Sequence, residues 1–262
     1  MTSVEPGFGE DDPDFVGALA RGLSVIRAFD IGRRETQTLA DIARTTALPR
    51  ATVRRSLLTL QALGYVASDG KHFRLTPRIL SLGYAYLAST PLTRVLQPAL
   101  ERVSEVTHES CSASTLDGAE IVYVARAATK RIMSVGLSVG SRLPAYCTSM
   151  GRVLLAAEPP EAARMILEGG PRPALTRHTI TDLDALMQVL QATRRDGFCL
   201  VDEELEIGLR SIGVPVRNAT GQVVAAINVS AQAGRVSAGD LVTSILPVLQ
   251  DAAESVRSSL VG

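Results

Sequence analysis

The chain is short of reactive chemistry. Its 262 residues include three histidines and three cysteines. His72, His108 and His178 show no metal-ligand spacing among themselves. His108 and Cys111 are three apart, with no second pair to complete a site. There is no H-E-x-x-H, G-x-S-x-G or Walker A pattern, and Gly136-x-x-x-Gly140 is too short for a dinucleotide fingerprint. Cys147 lies beside Ser149 but has no histidine near it in sequence, so it reads as a packing or pocket-lining residue. No catalytic residue, metal or cofactor is expected. The cysteines Cys111, Cys147 and Cys199 are odd in number and form no C-x-x-C. That pattern suits a reducing cytosol and argues against a disulfide framework.

Long apolar runs are also missing. No stretch of about 18 apolar residues exists, so no transmembrane helix and no membrane partner is expected. Residues 1–14 are acidic and lack the basic and apolar regions of a secretory signal, which points to the cytoplasm. What is present is ordinary globular material. The hydrophobic fraction of 46% over this length supports one large or two ordinary domains with real cores.

The net charge is zero, but its distribution is not even. Residues 1–19 carry five acids and no base. Residues 20–80 carry eleven bases against four acids, and residues 81–262 sixteen bases against eighteen acids. A basic segment on a neutral body suggests a polyanionic partner for that segment alone. The competing reading is a solvated basic face.

Helical spacing of Leu19, Leu23, Ile26 and Phe29 predicts a first helix with that stripe inward. Thr38 with Asp41 three residues on is a capping-box pattern for a second. Ala47-Leu48-Pro49 breaks it. A third helix runs over 50–63, with Val53, Leu57 and Leu60 as its buried stripe and Gly64 at its end. A hairpin follows around Asp69-Gly70, predicted as a two-residue type I′ turn. Residues 15–76 therefore read as a winged helix-turn-helix, after an acidic tail at 1–14. Thr76-Pro77 opens a linker helix over 77–90, with Leu80, Tyr84 and Leu87 in one stripe. Residues 91–262 alternate. Helices are expected at 91–107, 149–157, 160–168, 183–195 (capped by Thr181) and 237–260 (kinked at Pro247). Strands are expected at 110–116, 120–127, 131–135, 198–201, 209–216 and 222–230. The class is α+β with an antiparallel sheet.

On the third helix, Ala51, Arg54, Arg55 and Ala62 lie away from the buried stripe at 100° per residue. A recognition helix presents its N-terminal residues to base edges, and the arginine fork matches guanine O6 and N7. Arg54 and Arg55 are the candidates for bases, Arg50 and Thr52 for phosphate or base. Thr38 at a helix start is a candidate phosphate holder. Lys71, His72 and Arg74 on the wing are placed to reach flanking phosphates. Leu58 also falls on the exposed side, which this helix alone does not explain.

Several blocks resemble the IclR-type bacterial transcriptional regulators. They are Gln37-Thr38-Leu39-Ala40-Asp41-Ile42-Ala43, Arg50-Ala51-Thr52-Val53-Arg54-Arg55 and Leu60-Gln61-Ala62-Leu63-Gly64-Tyr65-Val66 in the first part. In the second they are the run from Gly140 through Pro144-Ala145-Tyr146-Cys147-Thr148-Ser149-Met150-Gly151 to Arg152, then Glu203-Glu204-Leu205-Glu206-Ile207-Gly208-Leu209-Arg210-Ser211-Ile212, then Ala225-Ala226-Ile227-Asn228-Val229-Ser230. The resemblance covers residues 15–260. It implies a winged-helix domain, a GAF-like effector domain, dimers that pair as tetramers, a double-stranded DNA operator and switching by a small organic acid. The Pro144–Gly151 block is most similar to the branch governing aromatic-acid breakdown by the β-ketoadipate pathway.

Carried over by motif, the resemblance implies an effector site at Ser149 and Met150, whose helix-start N–H groups suit a carboxylate. It adds Leu209, Ser211, Asn228 and Ser230 on strands, with Asp202 or Glu204 at the border. Arg142 or Arg210 is the expected cationic partner of the acid. Two other readings compete: a ligand-insensitive DNA-binding protein whose second domain only oligomerises, and an enzyme with a vestigial DNA module. An effect of a small molecule on operator affinity separates the first from the regulator, and turnover of a bound acid would mark the second.

Overall fold

A computed structural model describes residues 11–30, 35–89, 91–128 and 137–260. The chain divides between Ala88 and Ser89 into two compact units. The first begins with α1 (Gly17–Arg27), β1 (Gln37–Thr38), α2 (Leu39–Thr46) and α3 (Arg50–Ala62). β2 (Val66–Ser68) and β3 (His72–Leu75) follow, and the small antiparallel sheet has the order β1-β3-β2. α2 starts where the Thr38 hydroxyl accepts from the Asp41 N–H and the Asp41 carboxylate accepts from the Thr38 N–H. It stops at Ala47, whose φ of 56° is left-handed. Pro49 then leads straight into α3. Val25, Ala28, Phe29, Ile42, Val53, Leu57, Leu60 and Val66 form one buried cluster. Burial of each large side chain there stabilises the unit by ~1.5–3 kcal/mol.

Two expectations need correction in this unit. The stripe predicted inward on α1 holds only in its second half: Leu19 and Leu23 are exposed, whereas Phe29 is buried and Ile26 packs against the same cluster, with Val25 and Ala28 buried beside them. Leu19 and Leu23 instead line a cleft with Leu63, just beyond α3. The wing turn is not a two-residue type I′ turn. Ser68 pairs with Phe73, and a loop of three residues, 69–71, connects the strands. The Asp69 carboxylate closes it by accepting from the N–H groups of Lys71 and His72 at 2.9 and 2.7 Å, so only Gly70 needs positive φ. After a 3₁₀ turn at Pro77–Ile79 comes α4 (Leu80–Ser89). Its Leu80, Leu82, Tyr84 and Tyr86 are all exposed.

The second unit is a six-stranded antiparallel sheet with helices on both faces. In chain order come α5 (Pro91–Thr107), β4 (Ser110–Asp117), β5 (Glu120–Ala127), β6 (Arg142–Pro144), α6 (Ser149–Ala157), α7 (Pro160–Glu168) and α8 (Leu183–Asp196). Then come β7 (Cys199–Asp202), β8 (Leu209–Arg217), β9 (Val223–Gln232), α9 (Ala238–Asp240) and α10 (Leu246–Ser255). The strand order is β6-β5-β4-β9-β8-β7. One face, with Cys111, Ala113, Ile212, Val214, Ile227 and Val229, packs with Leu96 and Leu100 of α5 and Leu249 of α10. The other, with Tyr123, Cys199, Val201 and Ala226, packs with Met150, Val153 and Leu154 of α6, Leu167 of α7 and Leu190 of α8. The α+β class read from the sequence is the class observed.

Smaller differences have local causes. α8 is capped by Asp182, not Thr181: the Asp182 carboxylate accepts from the Ala185 N–H at 2.8 Å. The last helix opens with the Ser237–Asp240 capping box, then widens to a π turn over Leu241–Ile245. Pro247 lies just beyond and has no N–H to bond the carbonyl four residues back. α10 ends at Ser255, with a 3₁₀ turn to Ser259. β1 and β6 were not anticipated; at two and three residues they are too short for a periodic signal. The strand expected at 131–135 and most of the acidic tail lie outside the described residues.

Candidate functional site

The first candidate surface is α3 with the wing. Val53 and Leu57 are fully buried and Leu60 nearly so, which fixes the rotation of the helix. Arg50, Ala51, Arg54, Arg55 and Leu58 are exposed, and Thr52 is half-buried. Among the described residues, Arg50, Arg54 and Arg55 make no ion pair, so their guanidinium groups are uncommitted. On the wing, Lys71 and Arg74 are exposed, and His72 Nδ1 lies 3.2 Å from the Asp69 carboxylate. Thr38 is placed differently from the phosphate-holding expectation. Its hydroxyl donates to Asp41 Oδ2 at 2.6 Å and accepts the Asp41 N–H, so the cap consumes it. The Asp41 charge beside it also repels a phosphate.

The second candidate site is on the sheet face under the start of α6. Strand registry decides who meets whom. Gly213, Asn228, Ser112 and Arg126 lie in one row across β8, β9, β4 and β5. Ser211, Ser230 and Ser110 form the next row, and Ser114 pairs with Ala226. By the period of two, these side chains share one face. α6 starts directly on Gly213: a Cβ there would lie 3.2 Å from Met150 N and 3.2 Å from Ser149 Oγ. Thr148 caps the helix by accepting from the Gly151 N–H at 3.2 Å. Ser114 Oγ lies 3.3 Å from Met150 Sδ.

Polar groups are therefore concentrated in a buried place. Ser112, Ser114, Ser149, Ser211 and Asn228 are all buried. Asn228 Nδ2 donates to Ser230 Oγ at 3.0 Å. Ser149 Oγ and Asn228 Oδ1 have no hydrogen-bond partner. Buried polar atoms are rarely left so, and each marks a place for water or a ligand. Ser149, Met150, Ser211, Asn228 and Ser230 are thus brought together.

The other expected effector residues are placed elsewhere. Arg142 is on edge strand β6, where it pairs with Asp117 and Glu120 at 2.7 Å each. Arg210 pairs with Asp202 at 2.5 Å across β7 and β8 and donates to the Ala233 and Val236 carbonyls. Both guanidinium groups hold loops and carry acidic partners already. Leu209 is at the far end of β8, opposite Gln232. Glu204 is buried against Arg152, with two hydrogen bonds of 2.6 Å. Burial opposes the Arg152 charge, but the Glu204 bonds outweigh it and hold its pKa above the ordinary value.

Sequence reasoning missed Ser110, Ser112, Ser114, Gly213 and Arg126. The Ser110-Cys111-Ser112-Ala113-Ser114 alternation carried the signal, since a period of two puts three hydroxyls on one face. No group of histidines, cysteines and carboxylates among the described residues has metal-binding geometry. Burial pushes the Cys147 thiol up to about 11 and raises Cys111 and Cys199 as well, which makes all three poor nucleophiles at neutral pH.

Residues 18–70 match the IclR helix-turn-helix domain, and residues 84–258 match the family described as bacterial transcriptional regulator IclR C-terminal. The chain belongs to the IclR family. It is 50% identical over 252 residues to the Pca regulon regulatory protein of Pseudomonas putida, covering 96% of this chain and 86% of that one. A crystal structure of a transcriptional regulator from Rhodococcus sp. RHA1 matches with 52% identity and a TM-score of 0.81, covering 94% of this chain and 98% of that one. An IclR homologue from Microbacterium hydrocarbonoxydans, crystallised with 4-hydroxybenzoate, matches with 28% identity and a TM-score of 0.79, covering 93% and 98%. This IclR-family chain is a DNA-binding transcriptional regulator with a helix-turn-helix unit and a sheet-based effector unit. No helix among its described residues is long and apolar enough to cross a membrane.

Proposed function

We propose that α3 enters the major groove of an operator and that a small aromatic acid, bound under the start of α6, changes the affinity of that contact. Arg54 and Arg55 face the bases, Arg50 and Thr52 the strand edge, and Lys71, His72 and Arg74 the flanking phosphates. Leu58, exposed one turn beyond Arg54, offers the kind of apolar contact that meets a thymine methyl group. The protein works in the cytoplasm, where a bacterial operator lies, and carries out no catalysis. The relative crystallised with 4-hydroxybenzoate supports the ligand class. The observation that carries the reading is the pair of buried, unpartnered atoms, Ser149 Oγ at the start of α6 and Asn228 Oδ1 on β9.

Self-association fits the same picture. Leu80, Leu82, Tyr84 and Tyr86 leave α4 apolar and exposed, and a helix apolar all round is normally covered. A dimer, or a pair of dimers, on a palindromic operator would cover it. Sedimentation of the free chain tests this, and a monomer at micromolar concentration refutes it.

The deciding experiment measures operator affinity and thermal unfolding with and without aromatic acids. Saturation at a hundred times Kd adds about 2.7 kcal/mol of stability. An effector must also prefer one state, so operator affinity has to change with it. Stabilisation without such a change would leave a binding protein that is not switched. No stabilisation by any acid would favour a second unit that only oligomerises.

A further inference from the structure

An open apolar cleft of about 750 Å³ runs between α1 and α3. Leu19, Leu23 and Ile26 of α1 form one wall, and Leu60 and Leu63 stand at the end of the other. Leu19, Leu23 and Leu63 are 63%, 45% and 52% exposed. Single exposed leucines are ordinary, but a contiguous apolar concavity marks a binding surface. Its rim is basic. Arg21 of α1 and Arg55 of α3 both line it, and no aspartate or glutamate does. Among the described residues neither arginine makes an ion pair.

The matching chemistry stands just ahead of α1 in the same chain. Residues 1–10 include the apolar Val4 and Phe8, the acids Glu5 and Glu10, and no base. Asp11, Asp12 and Asp14 continue the acidic run. Before α1 the chain makes a turn, in which the Phe15 N–H donates to the Asp12 carbonyl at 2.9 Å. Such a turn reverses chain direction, which permits a return along α1. Length suffices too: α1 is about 16 Å long at ~1.5 Å per residue, whereas ten extended residues span ~33 Å. A second copy is the poorer fit. A two-fold contact of this cleft with itself would set arginine against arginine with no acid in the lining.

We propose that residues 1–10 dock in this cleft, with Val4 and Phe8 among the leucines and Glu5 and Glu10 on Arg21 and Arg55. The proposal rests on the reading that α3 enters the operator, and it gives that surface a built-in competitor. Arg55 cannot serve a carboxylate and a base at once, so DNA must displace the segment. The affinity for operator is then lowered by the fraction of chains in which the cleft is filled.

The test compares the full chain with a chain lacking residues 2–10, and uses a fluorescent peptide of residues 1–14. The peptide should bind the shortened chain saturably. It should bind the full chain at least tenfold more weakly, because the tethered segment competes at high effective concentration. Phe8→Ser in the peptide, or Arg21→Gln in the shortened chain, should each weaken it several-fold. Removing residues 2–10 should tighten operator binding threefold or more at low salt, and Phe8→Ser in the full chain should reproduce most of that gain. A peptide that does not bind the shortened chain overturns the proposal. So does a gain that Phe8→Ser fails to reproduce, since charge repulsion alone would then explain it. Sedimentation in which Leu23→Ser separates copies of the chain, while the deletion does not, would give the cleft to a second copy and overturn it as well. An operator affinity unmoved by the deletion but lowered by Arg55→Ala also overturns it. Failure of the underlying reading looks different: the peptide would still bind, but Arg55→Ala would leave operator affinity unchanged.

Discussion

The Arg152 guanidinium faces the Glu204 carboxylate through two hydrogen bonds of 2.6 Å, and both residues are buried. Arg152 Nε also donates to the Tyr146 carbonyl, and Glu204 Oε2 accepts the Ile180 N–H. The Glu204 carbonyl accepts from Thr179. The pair therefore ties α6 to the segments before α8 and after β7. Removing one partner of a buried pair strands the other charge, at a cost of about 3–5 kcal/mol. Glu204→Leu should show that loss as a lower midpoint in urea unfolding. A midpoint within error of wild type would mean that the pair is not stabilising.

Arg55 projects from α3 opposite the buried Val53, Leu57 and Leu60. Arg55→Ala should weaken operator binding by ~1–3 kcal/mol and relax preference at one base position. Binding is measured against operators varied at each position. Undiminished affinity would mean that another face of α3 meets the DNA.

Lys71 is exposed at the wing tip. A phosphate contact there releases a counterion, so Lys71→Ala should weaken binding evenly across sequences. The salt slope should fall by about one. A slope equal to that of wild type would take the wing tip out of the contact.

Asp41 accepts from the Thr38 hydroxyl, the Thr38 N–H and Arg44, in that order of influence, and these bonds lower its pKa to about 2. A depressed carboxylate stabilises the fold above its ordinary pKa of 3.8, and that contribution is lost as pH falls through about 2. Carboxyl resonances followed by NMR should place the Asp41 midpoint near 2. Asp41→Asn should be less stable than wild type at pH 7, and the gap should close across that acid window. A midpoint near 4 would show that the cap does not hold the charge.

Gly151 is needed for close approach rather than for its φ. A Cβ there would lie 2.3 Å from the Ala145 carbonyl oxygen and 2.4 Å from the Ala145 Cα. Both obstacles are backbone, so Gly151→Ala must shift α6. The expected cost is at the upper end of overpacking, about 3 kcal/mol or more. Near-native melting of this variant would show that α6 moves freely.

Much of the site was legible because its signals are local. Thr38 and Asp41 mark the start of α2, and the spacing of Val53, Leu57 and Leu60 orients α3, so the exposed arginines followed from the sequence. Ser149 and Asn228 came from family motifs. Arg126 was not found, because nothing along the chain links it to Asn228, a hundred residues away; the register of β5, β4 and β9 does. Arg142 and Arg210 failed for the converse reason. Their acidic partners Asp117, Glu120 and Asp202 are acquired only when strands pair. On α1, helical periodicity was present, but Val25 and not Leu19 faces the core, since the neighbours that cover a face are supplied by α2 and α3.

By itself the sequence determined the helix-turn-helix and the α+β class, since capping, periodicity and residue type act over a few neighbours. The tertiary structure alone decided which polar groups end up buried without a partner. That depends on strand registry and on α6 settling against Gly213, a contact between residues more than sixty positions apart. Desolvation then makes Ser149 Oγ and Asn228 Oδ1 costly to leave unpaired, and this sets that serine and asparagine apart from their exposed counterparts.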